Sequence, residues 1–67
     1  MIITYEHKGI TFESEEANIF VPYVAITRLV YIHSDKTLKI FTANSHPQFI
    51  NDVEEDTYKI LVEKCCE

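Results

Sequence analysis

From Ile26 to Ala43 the chain carries more apolar residues than one wet-sided strand pair needs, and the other elements are arranged around this stretch. Its two arms, Ile26 to His33 and Thr37 to Ala43, are rich in β-branched and aromatic residues. A tight turn at Ser34-Asp35-Lys36 joins them. Residues two apart on a strand share a face. Ile26, Arg28, Val30 and Ile32 therefore lie opposite Thr27, Leu29, Tyr31 and His33, and Leu38, Ile40 and Thr42 opposite Thr37, Lys39, Phe41 and Ala43. Loop length decides which sets combine. A two-residue loop puts Leu29 and Tyr31 with Leu38 and Ile40. A three-residue loop puts Val30 and Ile32 there, which gives one purely aliphatic face and is the preferred reading. In either register a second apolar face remains, unlike an antiparallel sheet with one side in water.

The segments before the hairpin follow a period of two. Residues 1 to 6 form an opening strand, and His7-Lys8-Gly9 a turn. Gly9, the one glycine of the chain, is expected where φ must be positive. Ile10 to Glu13 alternates, with Ile10 and Phe12 inward. Ser14 to Asn18 is a polar turn and Ile19 to Val21 a short strand. Pro22 cannot donate to a ladder, so it ends that strand or lies on an edge. Pro22 to Ala25 makes a corner of about one helical turn.

After the hairpin come a turn at Asn44-Ser45-His46-Pro47 and a strand at Gln48 to Ile50. The period then becomes helical. Asp52 is placed as N-cap, with Glu55 completing a capping box. Glu54, Glu55 and Asp56 fill the first turn and Lys64 the last, as the helix dipole favours. Tyr58, Leu61, Val62 and Cys65 form the core stripe, Glu55 and Lys59 are spaced to pair, and Val53 and Ile60 point to the other side. The expected fold is α+β: a small antiparallel sheet or half-barrel meander of five or six strands, closed by one C-terminal amphipathic helix. Residues 1–67 make one domain.

From a strand at residue 19, the order runs through a Val-Pro-Tyr-Val corner, an Ile-Thr-Arg-Leu-Val-Tyr strand, a turn, a Leu-Lys-Ile-Phe strand and a final helix. It resembles the later half of bacterial PH-like domains and spans most of residues 19 to 65. The likeness is one of apolar positions. Full PH-like domains are longer, with seven strands, and the resemblance implies no ligand.

Composition narrows the function. A hydrophobic share of 46% belongs to a folded chain. Domains this small bury only about 60% of their unfolded surface and often lean on disulfides, metals or oligomerisation. Two adjacent cysteines at the end make a poor staple, which leaves self-association. The net charge of −5, with the six basic residues scattered, disfavours a phosphate backbone as partner. No run is long enough to span a bilayer and no leader pattern opens the chain, so a cytoplasmic protein with reduced thiols is expected.

Candidate chemistry is sparse. His7, His33 and His46 match no zinc spacing, and Cys65-Cys66 has no base to activate it. The carboxylates at 52 to 56 fit a helix start better than an ion site. One glycine excludes a phosphate-cradling loop. No cofactor, metal or catalytic constellation is implied. Tyr31, Phe41 and Phe49, near Arg28 and Lys39, suit either base stacking or a protein interface, and the acidity favours the interface. The expectation is a non-enzymatic protein-interaction module, an adaptor or inhibitor, docking a protein partner or a second copy. Its interface would comprise Arg28, Leu29, Tyr31, Lys39, Phe41 and Ile60. The alternative is an oligomer holding a nucleotide-like ligand at a subunit junction.

Overall fold

A computed structural model describes residues 1–43 and 45–66. The strands are β1 (Ile2–Tyr5), β2 (Gly9–Glu13), β3 (Asn18–Pro22), β4 (Ile26–Ile32), β5 (Thr37–Thr42) and β6 (Gln48–Ile50). A 3₁₀ turn at Tyr23–Ala25 separates β3 from β4, and the helix α1 (Glu55–Cys65) ends the chain. The α+β class, antiparallel pairing and terminal helix are those the periodicities predict. The strands divide into two three-stranded sheets, β1-β2-β3 and β4-β5-β6, hinged at Pro22 to Ala25.

One core joins both sheets and the helix. Ile10 and Phe12 from β2, Val21 from β3, Leu38 and Ile40 from β5, Ile50 from β6, Val53 and Leu61 are buried together. Across the first sheet, Ile3, Phe12 and Ile19 make one inward row and Tyr5, Ile10 and Val21 the next. Pro22 closes an edge strand, where its missing donor costs nothing.

The hairpin register corrects the sequence reading. Tyr31 faces Leu38 and Leu29 faces Ile40, so Leu29 and Tyr31 lie inward and Val30 and Ile32 outward. The connection, His33 to Lys36, has four residues, the same parity as two, and Lys36 takes a left-handed φ of 51° to close it. The ladder also slips between Ile26 and Arg28. Thr27 is the extra residue of this bulge, and its hydroxyl donates to the Phe41 carbonyl at 3.2 Å. The slip turns Ile26 onto the core beside Leu29, rather than to the side of Arg28.

Gly9 also has a different role from the one expected. Its φ is not positive; it lies within β2, opposite Pro22. A Cβ there would meet the Val21 carbonyl oxygen at 2.5 Å and the Phe20 ring at 2.6 Å. Glycine is needed for close approach rather than for φ.

The left-handed residue near the helix is Asp52, at φ 62°. Asp52 therefore turns the chain out of β6, and Glu54 is the N-cap, with no side-chain bond of its own. The expected capping box is absent. Val53 precedes the helix, fully buried, and its N–H donates to the Lys36 carbonyl at 2.9 Å. The helix then buries Thr57 and Leu61, so the inward line runs Val53, Thr57, Leu61, while Val62, expected inward, is exposed. Tyr58 and Cys65 are partly buried, and Ile60 is also partly covered. Glu55 approaches His33, Nδ1 to Oε1 3.8 Å, instead of pairing with Lys59. The expected turn at Asn44 to Pro47 includes Asn44, which lies outside the described residues.

Candidate functional site: an aromatic and cationic sheet face

The register leaves three cross-strand rows on the outer face of β4-β5-β6. Arg28 lies beside Phe41; Val30, Lys39 and Phe49 line up; Ile32 lies beside Thr37. The Arg28 guanidinium carbon sits 5.3 Å from the Phe41 ring centroid, and the Lys39 ammonium 5.2 Å from that of Phe49. Both distances suit attraction of a cation to the ring quadrupole. Thr37 is buried at the end of this face, its hydroxyl within 3.2 Å of Asn51 Oδ1.

Of the six interface residues expected from sequence, Arg28, Lys39 and Phe41 come together on this outer face. Leu29 and Tyr31 belong to the inner one, packed on the core. The Tyr31 hydroxyl donates to the Val53 carbonyl at 2.7 Å, and its ring lies edge-on to His33 and stacks on Tyr58. Loss of hydration, then the charge of Glu54, raises the phenol above its ordinary value of 10.0. Ile60 belongs to α1, a separate element. Val30 and Ile32 complete the outer patch. A three-residue loop would turn them inward, and the four-residue connection turns them outward. The signal was the choice of loop length itself, since only an even loop sends both outward.

Other candidate chemistry stays dispersed. Among the described residues, no three His, Cys, Asp or Glu side chains gather as metal ligands. Cys65 is partly buried and Cys66 exposed, both as free thiols. Burial and the adjacent Cys66 push the Cys65 thiol up, which lowers its thiolate fraction and its reactivity. No described helix is long and apolar enough to cross a membrane.

No family model, curated protein or solved structure matches the chain. The likeness of residues 19 to 65 to PH-like domains therefore rests on the residue pattern alone.

Proposed function

We propose that this chain is a small, non-enzymatic protein-interaction module of the cytoplasm that docks through the outer face of β4-β5-β6, with a second copy of itself as occupant. One observation carries the reading: Val30, Ile32, Phe41 and Phe49 share an outward face where a single-sided sheet would place polar residues. Aromatic residues with arginine at the margin are the usual makeup of interface anchors.

The charges favour a copy over a foreign surface. The face is cationic at the Arg28 end, and the turn beyond Ile32 carries Asp35, exposed and in none of the described ion pairs. A two-fold, antiparallel pairing sets the Arg28 end of one copy over the Asp35 end of the other, twice. Such an isologous contact is self-complementary. It also adds apolar burial to a small domain, in which eight hydrophobic side chains among the described residues are buried.

Light scattering across a concentration series tests this. The 7.8 kDa chain is expected to give twice its mass. Phe41→Glu is expected to weaken association by at least about 30-fold, the effect of losing an interface anchor worth about 2 kcal/mol. Arg28→Glu should weaken it less, and Arg28→Glu with Asp35→Arg should restore it. A single-chain mass at every concentration, or no rescue by the exchanged charges, would overturn the two-fold reading.

A further inference from the structure

The two sheets do not close on each other everywhere. At the far end of the first sheet a groove of about 730 Å³ opens between the β2-β3 turn and the segment joining β6 to the helix. Its lining mixes polar and apolar residues: the half-buried Ile3 and Ile19 flank the buried Phe12 in one cross-strand row of the first sheet, and the buried Ile50 and the exposed Phe49 line it from the second. β6 is the last strand of its sheet, so among the described residues one side of its backbone has no strand neighbour. An edge strand beside a groove with exposed apolar positions suits an extended segment, which adds its own N–H and C=O groups to the ladder and sets alternate side chains against those positions. The three-residue length of β6 offers room for a short segment only.

Charge selects the occupant. The residues lining the groove include Glu15, Glu16, Asp52 and Glu54, and neither Lys, Arg nor His. Lys36 approaches from outside, its ammonium 3.4 Å from Glu54 Oε1, and both side chains of that pair are exposed. Lys39 leans on the Phe49 ring from the outer face. Met1 also lines the groove, and the four carboxylates outnumber its ammonium and Lys36 together, so the rim keeps a net negative charge.

We infer that this groove binds an extended basic peptide, pairing its backbone with the free edge of β6, its apolar side chains on Ile3 and Ile19, and its lysines or arginines on Glu15, Glu16 and Glu54. The site is separate from the outer sheet face and does not rest on self-association, although Phe49 stands at the border of both.

The test is a fluorescence-polarisation titration with a dye-labelled peptide of about seven residues, alternating lysine with valine and leucine and capped at both ends. Saturable binding that weakens as salt rises is expected. Glu15→Gln, Glu16→Gln and Glu54→Gln combined should weaken it about tenfold, as three exposed charge pairs of about 0.5 kcal/mol each would. Asp52 is left in place because of its left-handed backbone. One of the two sets of alternately N-methylated peptides should fail to bind, since methylation removes the donors facing β6. The Phe41→Glu protein should bind as the parent does. Absence of saturable binding, indifference to the triple change, full binding by both methylated sets, or loss of binding in Phe41→Glu would each overturn the inference.

Discussion

Phe20 on the first sheet and Phe49 on the second are almost equally exposed, 51% and 58%, yet they stand in different surroundings. Phe20 shares its outer face with Ile2, Thr4, Thr11, Glu13 and Asn18, and its ring settles over Gly9, where no Cβ intervenes. The first sheet thus accommodates its outward aromatic within the chain, and the other large exposed apolar residue of that face, Ile2, stands apart from it on the opposite edge strand. Phe49 stands in a row with Val30 and Lys39, next to Phe41 and Ile32. Fractional exposure does not separate the two rings; their neighbours do, and a contiguous apolar patch is what marks a contact surface.

The largest test of this contrast removes the cover of Phe20. Gly9→Ala drives a Cβ against a backbone oxygen and the ring, so the strands must shift. A loss of about 1–3 kcal/mol by denaturant unfolding is expected. Adding Phe20→Ala should recover only part of it, because the Val21 carbonyl remains in the way. Next in size is the paired change Phe49→Ser and Phe20→Ser. The first should weaken self-association about tenfold or more, as truncation of an interface aromatic does, and the second should leave the mass in light scattering unchanged. Equal effects would erase the distinction between the two faces.

A third change asks whether the contrast is confined to outer faces. Tyr31→Phe leaves the Val53 carbonyl without its donor and is expected to cost about 1 kcal/mol with the mass unaltered. It should also alter the alkaline limb of stability. The folded state holds the Tyr31 proton more tightly than the unfolded state does. The contribution is therefore whole below pH 10.0 and is lost as pH rises through the higher folded value. Unfolding titrations between neutral pH and this range should show a shallower decline in the variant. The smallest effect belongs to Thr11→Val on the outer face of the first sheet. It removes an exposed hydrogen bond to Glu6 Oε2 of 2.7 Å and should shift stability by no more than about 0.5 kcal/mol.

Strand and helix positions were legible because each element buries one side, and burial imposes its period on the apolar residues. Ile10 and Phe12, and later Leu61, announced themselves in this way. Register was not legible. It depended on one residue of loop length, and the turn closes through a left-handed Lys36 that no glycine or asparagine marks. The Thr27 bulge is likewise silent in a run of good strand formers. At the helix start, Asp52 carried two meanings, cap or left-handed turn, and local pattern could not choose between them. Thr57 inside the core had no signal, since a polar residue there is known only from what covers it. Arg28, Lys39 and Phe41 of the expected interface do share one sheet face, with Val30 and Ile32 beside them because of the register. The acidic groove is formed by segments far apart in the chain, which no window of sequence brings together.

The bond from the Val53 N–H to the Lys36 carbonyl ties the hairpin turn to the lead of the helix. Its acceptor Lys36 is left-handed and its donor follows the left-handed Asp52, and Val53 itself has no contact with water. Its amide proton should therefore exchange with solvent deuterium only when the hairpin and the helix come apart together. In a molecule of this size that event approaches global opening, which makes this single amide a gauge of the whole fold's free energy.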